Sequence, residues 1–346
     1  MAKNPNYRRT KRSTQLATRI FSIDDCRNII IRIKKLEGLS ESSINGYEKL
    51  FNDFDRYFGE KTDINSLTAE QARGFMDWQL NEKTQFLKSK YRKDKKKGVS
   101  ISSANTYLTL AKAVFYILID EGIIEENIFE GIRNIKKRQK KVETLTVDEI
   151  KKILRSLDKG LYSEMRMHVI LNCLLDGFGR INETLTLKKS DIDYDGCTIT
   201  FTNTKNKRIR HVPITRKTVK LIEELNEETE DFDSEYIFLT NHGKPLRPDT
   251  FRKHLRVVLQ RIGINKRIHP HMFRHSSSAI YLQQPGASIT VLQKILGHAD
   301  LSTTQIYTHI LDSTVRESHA KFSPINFIDQ SEKRKTRTGR GRVKGR

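Results

Sequence analysis

The chain has 346 residues, enough for two domains with separate hydrophobic cores, and its 64 Lys and Arg outnumber its 42 Asp and Glu to give a formal net charge of +22. This positive excess is typical of proteins that bind polyanions, so nucleic acid is the expected partner. The three cysteines form no C-x-x-C pair and no run of about 18 apolar residues occurs, which excludes a disulfide scaffold and a membrane-spanning segment and predicts a cytoplasmic protein.

The first half of the chain has the apolar spacing of a helical bundle, after a basic arm at residues 1–21. A residue that commonly caps helices opens each apolar stretch. Residues 22–132 are therefore predicted to form one helical domain. Its predicted helices run from Ser22 to Leu36, from Ser40 to Tyr57, from Thr68 to Leu80, and from the capping residue Ser102 to Ile119.

Three basic segments are not predicted to contribute to a core. Phe86–Gly98 is so rich in lysine that it is predicted to be a loop, which either contacts DNA phosphates or is only solvated. Residues 133–144 lack apolar periodicity and are predicted to be an interdomain linker. Residues 329–346 are polar and rich in Gly and Arg, so we expect a tail that is disordered in the absence of DNA.

Residues 145–328 are predicted to form a second domain that combines helices with a small β-sheet. Alternating apolar residues at 198–201 and 209–214 predict a β-hairpin. The predicted fold class of the whole chain is therefore mainly α with a small β-sheet, in which a helical bundle precedes an α+β domain. The helices predicted here begin at Thr146, which forms a capping box with Glu149, and continue with Met165 to Leu175, Thr215 to Leu225, Asp249 to Ile262, His271 to Leu282 and Ser288 to Leu296.

Five short motifs in this second domain contain the residue types that cleave a phosphodiester. They are Gly177-Phe-Gly-Arg180-Ile-Asn-Glu183, Asn203-Thr-Lys205-Asn-Lys207, His271-Met-Phe-Arg274-His275, Leu296-Gly-His298 and Gln305-Ile-Tyr307. Together they closely resemble the tyrosine recombinase (phage integrase) family, whose pattern is Arg, Lys, His-x-x-Arg, His and Tyr in that order. The resemblance covers residues 144–323, and the first half resembles the family's helical core-binding domain more loosely. It implies a site-specific DNA recombinase, integrase-like or transposase-like, that cleaves and rejoins duplex DNA through a covalent 3′-phosphotyrosine intermediate without metal or ATP.

The chemistry of cleavage explains the arginines and the tyrosine. Attack on a phosphodiester places extra negative charge on its nonbridging oxygens. Arginine suits this charge because its planar fork donates two parallel hydrogen bonds to phosphate, so Arg180 and Arg274 are predicted to clamp the phosphate. Tyr307 is predicted to be the nucleophile, because a phenol is a better leaving group than an alkyl hydroxyl and keeps the second transesterification reversible.

The remaining site residues are predicted to move protons or to orient the others. His271 is predicted to hydrogen-bond the phosphate or exchange a proton with the tyrosine, and His298 to donate to a nonbridging oxygen. By resemblance, Lys205 protonates the leaving 5′-oxygen, although its neighbour Lys207 is an alternative. Glu183 stands at the family's usual acidic position and is predicted to orient an Arg or His.

Several alternatives and partners accompany this reading. A type IB topoisomerase-like enzyme would share the chemistry, and a non-catalytic DNA-binding protein would share the fold. No metal or cofactor is expected, because carboxylates with ligand spacing are missing around the histidines 269, 271, 275 and 298.

The resemblance implies a homotetramer on two synapsed duplex DNA core sites. Without DNA we expect a monomer or weak oligomer, associated with the nucleoid, with accessory DNA-bending or directionality factors as possible partners.

Overall fold

The structure is a computed structural model that describes residues 20–85, 96–136, 143–202, 209–284, 286–298 and 304. The chain divides into two compact units, Met1–Gln139 and Lys140–Arg346. Much of the predicted arm, linker and tail lies outside the described residues, as does most of the lysine-rich loop, so these domain limits stay predictions. None of the helices in the described ranges is long and apolar enough to cross a membrane.

In its described residues the first unit is a bundle of four α-helices, and two of the three predicted caps are confirmed. Ser22 and Thr68 each accept a hydrogen bond from the backbone three residues on, as predicted, and Ser40 does the same. The predicted cap Ser102 is wrong, because Ser100 accepts from the backbone N–H of Ser103 and the helix begins two residues earlier than expected. The helices are α1 (Ile23–Leu36), α2 (Glu41–Phe58), α3 (Ala69–Asn81) and α4 (Ile101–Asp120).

The core of the first unit is aromatic and encloses one ion pair. Phe54 contacts the rings of Phe75, Phe115 and Phe129 at centroid distances between 5.1 and 6.4 Å. Asp53, one residue earlier, is 4% exposed and pairs with the ammonium group of Lys83. Because each buried charge has an opposite partner, the pair is compatible with an otherwise apolar core.

The second unit is mainly helical with a three-stranded antiparallel sheet, which confirms the predicted fold class. The predicted hairpin is present, and Thr198 to Phe201 pair with Pro213 to Arg210. Among its α-helices and strands, two short ones were not predicted, a two-residue strand and a five-residue helix. The elements are α5 (Val147–Arg155), α6 (Tyr162–Asp176), α7 (Ile181–Leu185), β1 (Ile192–Asp193), β2 (Thr198–Phe201), β3 (Arg210–Pro213), α8 (Arg216–Glu227), α9 (Pro248–Arg261), α10 (Pro270–Leu282) and α11 (Ile289–Leu296).

Helix α6 is central to the second unit because it packs against both α8 and α10. Its apolar residues between Val169 and Leu174, with Cys173 among them, are completely buried, and burial raises the pKa of the Cys173 thiol. That cysteine is therefore an inert core residue. The last turn of α6 leads into the segment that carries Arg180. The packing of this helix therefore fixes the starting point of that segment.

Candidate active site

The turn between α6 and α7 carries Arg180. Phe178 has φ of +50°, a left-handed conformation that non-glycine residues rarely adopt. Gly179 follows in a space without room for a side chain, since a Cβ there would lie 2.4 Å from the hydroxyl of Thr184 and 2.9 Å from the ring of Phe201. The tight turn lets Arg180 serve as the N-cap of α7, so this arginine is held at a helix end and not in an extended loop.

Glu183 accepts two hydrogen bonds from Arg180. One carboxylate oxygen accepts from the Arg180 guanidinium at 2.6 Å, and the other accepts from the Arg180 backbone N–H at 3.0 Å. The carboxylate is 3% exposed. Burial alone would raise the pKa of Glu183, but the N–H of Arg180 and the charges of Arg210 and Arg180 outweigh it and hold the pKa below the ordinary value. Glu183 therefore remains an anion that is hydrogen-bonded to both the side chain and the backbone of Arg180.

Arg274 is the second candidate arginine, and it lies almost entirely inside the protein. It stands one turn along α10, is 4% exposed, and donates to the backbone carbonyl of Phe178 in the turn before Arg180. It also donates to the carbonyl of Leu296 at 2.8 Å, at the C-terminal end of α11. Three separate segments of chain, the α6–α7 turn, α10 and the end of α11, are thus joined through one guanidinium.

His298 completes this cluster just after α11. Gly297 ends the helix with φ of +64°, which turns the chain back so that the imidazole Nε2 of His298 lies 3.2 Å from Nη2 of Arg274. The other ring nitrogen, Nδ1, lies 2.9 Å from the hydroxyl of Thr304. Burial, then the nearby charges of Arg274 and other arginines, lowers the pKa of His298 to about 4, so the ring is neutral at physiological pH.

His271 stands in the first turn of α10, one helical turn before Arg274. Its side chain reaches the surface, unlike that of Arg274. Partial desolvation, followed by the charge of Arg274 and weaker effects of His269 and Arg180, lowers its pKa below the ordinary value. The imidazole is therefore predominantly neutral at pH 7 and able to accept a proton.

The structure thus places the hydrogen bonds of Arg180, Glu183, Arg274 and His298 around the α6–α7 turn, and it places His271 within electrostatic reach of both arginines. Tyr307 and Lys205 lie outside the described residues, as does Lys207. Their predicted roles stay predictions. Within the part of the chain that the structure describes, no three His, Cys, Asp or Glu side chains come together as a metal site would require.

Arg210 joins the same set of hydrogen bonds, and sequence reasoning missed it. It lies on β3, is 7% exposed, and donates to Glu183 at 3.0 Å and to the Leu296 carbonyl at 2.8 Å. One signal pointed to it. The strand alternates buried and exposed residues, and Arg210 occupies an inward position where an apolar residue is expected, next to buried Val212.

The amino-acid sequence is similar to those of several known proteins. A model of the phage integrase family matches residues 143–314. The tyrosine recombinase of Pseudothermotoga lettingae is 32% identical over 241 residues, which cover 70% of this chain and 79% of the relative. The tyrosine recombinase XerD of Listeria innocua serovar 6a is 29% identical over 313 residues, covering 87% of this chain and 98% of the relative.

Two solved structures share the fold at low sequence identity. The Tn1549 transposon integrase, in complex with transposon right end DNA, gives a TM-score of 0.67 at 18% identity and covers 87% of this chain and 99% of that chain. The XerH site-specific recombinase, bound to a palindromic difH substrate in a post-cleavage complex, gives a TM-score of 0.65 at 20% identity and covers 86% and 84%. The arrangement of helices and the small sheet is therefore one that proteins of this kind adopt.

Proposed function

The chain belongs to the tyrosine recombinase (phage integrase) family and is a site-specific DNA recombinase; from this premise we propose that Tyr307 cleaves the DNA and that Arg180 and Arg274 hold the scissile phosphate. The observation that supports the proposal most strongly is the joining of the two arginines. The carbonyl two residues before Arg180 accepts a hydrogen bond from Arg274, so both guanidiniums are ordered around one turn. Two cations fixed close together suit a phosphodiester whose charge grows during attack.

The proposed reaction balances within the residues of the site. The phenol oxygen of Tyr307 attacks phosphorus, the bond from phosphorus to the 5′-oxygen breaks, and a 3′-phosphotyrosine remains. The phenol proton passes to His271, whose lowered pKa leaves it neutral and ready to accept. Lys205 gives a proton to the departing 5′-oxygen, with Lys207 as the alternative donor. Because the phosphotyrosine conserves the energy of the broken bond, rejoining needs no ATP.

His298 has a different role in this proposal. Its Nε2 lies beside Arg274 and its Nδ1 lies within hydrogen-bond distance of the Thr304 hydroxyl. The protein therefore sets the position of the ring before any phosphate binds. An imidazole fixed at this distance from the arginine can share the same nonbridging oxygen as a hydrogen-bond donor, once the phosphate charge favours a proton on Nε2. The group therefore stabilises charge in the transition state and is not the nucleophile's base.

The partner is duplex DNA, consistent with the net charge of +22 and with the DNA complexes named for the Tn1549 integrase and XerH. We further propose a homotetramer on two synapsed core sites, which separates into monomers or weak oligomers without DNA. Four protomers supply the four cleavages that exchange of two duplexes requires. Accessory DNA-bending or directionality factors belong to this part of the proposal as well.

A nicked suicide substrate tests the nucleophile, because loss of the short 5′ fragment traps the covalent adduct. The wild-type protein should form an adduct that survives denaturation, and Tyr307→Phe should form none while binding the same DNA with nearly the same affinity. Tyr236→Phe, in the same unit beside Lys188, is the matched control and should form the adduct normally. An adduct in the Tyr307→Phe protein would refute the assignment.

A further inference from the structure

Arg210 has no role in the proposed chemistry, yet it lies at the centre of the hydrogen bonds described above. Its Nη2 donates to Glu183 at 3.0 Å, and its Nη1 donates to the carbonyl of Leu296 at 2.8 Å. The guanidinium carbon also lies 4.5 Å from the centre of the Phe201 ring. This residue is 7% exposed, and its guanidinium is fixed by two hydrogen bonds and by contact of one face with an aromatic ring.

Each acceptor that Arg210 uses also serves one of the candidate phosphate-binding arginines. Glu183 accepts from Arg180 at 2.6 Å, and Leu296 accepts from Arg274 at 2.8 Å. Arg210 therefore connects the two arginines through shared acceptors, from its position at the start of β3. A displacement of Arg210 would move both acceptors at once.

We propose that Arg210 is a positioning residue for strand cleavage: it fixes the two acceptor groups on which Arg180 and Arg274 rest and does not itself touch the phosphate. The inference rests on the proposed function of that site and assigns it a further residue. Arginine is required because the two acceptors lie on different segments of chain, and only a planar fork with separate N–H groups reaches both. A lysine would keep the charge but supply donors from one point.

The end of α11 shows how closely the chain approaches this guanidinium. A Cβ at Gly297 would lie 3.1 Å from both Cδ and Nη1 of Arg210. The helix end with its partial negative charge therefore rests directly on a buried cation. His298 follows immediately, so the position of that imidazole depends on the same contact.

The test compares Arg210→Lys and Arg210→Gln with Arg166→Lys and Arg166→Gln in single-turnover cleavage of the suicide substrate, with enzyme in excess. Arg166 is the matched control because it is 2% exposed in the same unit, and its guanidinium donates to the carbonyl of Leu239 and lies 4.9 Å from the Tyr162 ring, away from the site. When folded enzyme remains in saturating excess over the DNA, an unfolded fraction does not change the single-turnover rate constant. Any difference in rate constant therefore reports the folded protein.

We expect both Arg210 variants to lose about 10- to 100-fold in the cleavage rate constant with DNA affinity unchanged, the size typical for groups that orient others. The Arg166 variants should cleave at the wild-type rate even if they unfold more readily. In Arg210→Gln alone, the lost charge should raise the pKa of His298, as measured by NMR titration of its imidazole. Arg210→Lys retains the charge, so its fold is the less perturbed of the two and its rate alone decides if Arg210→Gln is insoluble.

Cleavage by Arg210→Lys within about threefold of the wild type would overturn the inference, because loss of the fork would then not matter. Equal slowing in the Arg166→Lys control would assign the effect to general loosening of the fold. A parallel loss of DNA affinity would mean that Arg210 contacts DNA. The proposed function fails separately, if the wild type forms no adduct or the Tyr307→Phe protein still does.

Discussion

Replacement of Glu183 by glutamine should destabilise the second unit more than its conservative shape suggests. The carboxylate accepts three hydrogen bonds, two from Arg180 and one from Arg210, and only 3% of it is exposed. A glutamine keeps one acceptor oxygen but points an N–H₂ group at one of these donors. Arg210 would then be a buried cation without its carboxylate.

The expected cost follows from the burial of the pair. Breaking a buried ion pair by removing one partner costs about 3 to 5 kcal/mol. The bond to Arg210, which is 7% exposed, accounts for most of this, because Arg180 is 28% exposed and partly screened. With a urea m-value of about 2 kcal/mol/M, the midpoint of unfolding should fall by roughly 1.5 to 2.5 M.

Urea unfolding followed by circular dichroism measures this change, and the single tryptophan supplies an internal reference. Trp78 lies in the first unit, so its fluorescence transition should stay in place while the helical signal of the second unit shifts. Coincident midpoints for the Glu183→Gln and wild-type proteins at pH 7 would refute the reasoning, since the buried carboxylate would then contribute nothing.

Acidification should reduce the difference in the free energy of unfolding between the wild-type and Glu183→Gln proteins. The folded pKa of Glu183 lies below the ordinary value of 4.5, so its ionised form stabilises the fold fully above that value. As the pH falls below 4.5 toward the lowered pKa, the unfolded state takes up a proton first and the stabilisation is lost. A difference that stayed constant or widened during acidification would contradict this linkage.

Three further predictions concern other features. Ser100→Ala should lower the free energy of unfolding of the first unit by about 1 kcal/mol in Trp78 fluorescence, whereas Ser102→Ala should change it by less than about 0.5 kcal/mol, and the opposite ranking would contradict the observed cap. Thr304→Val removes the hydroxyl 2.9 Å from Nδ1 of His298 and should slow single-turnover cleavage about tenfold at unchanged DNA affinity, so equal rates would count against the positioning of that ring. The logarithm of the DNA association constant should fall linearly with the logarithm of salt concentration, by about 0.9 per phosphate contacted, and a flat plot would exclude an electrostatic clamp.

The capping residue of a helix was predictable where both partners of the cap are close in the sequence. The prediction failed where a contact with a distant residue sets the start of the helix. The boxes at Ser22 and Thr68 join residues three apart, so the sequence contains both partners. Before α4, the serines at 100, 102 and 103 all qualify as caps. The choice falls on Ser100 because the preceding residue, Val99, donates to the carbonyl of Gln79 at 2.9 Å and so fixes where the chain turns into the helix.

Short elements and long-range partners escaped prediction for related reasons. A two-residue strand such as β1 and a five-residue helix such as α7 are too short to show a period. The partners of Arg210 stand 27 and 86 residues away in the chain, at Glu183 and Leu296, and no spacing rule connects them. The arginines proposed to hold the phosphate could be predicted because the reaction dictates their residue type, whereas the partners of Arg210 are dictated only by the packing.

The site's arginines are already hydrogen-bonded before DNA binds, and this determines whether a substitution changes the cleavage rate constant or the DNA affinity. Arg274 already donates to two carbonyls and Arg180 to a carboxylate, so the entropy of fixing these long side chains is lost during folding and not during binding. Groups that are fixed beforehand stabilise the transition state without reorganising at the moment of reaction. DNA affinity, by contrast, sums many phosphate contacts along the duplex. Loss of Glu183 or Arg210 should therefore lower the rate constant of cleavage much more than it weakens binding.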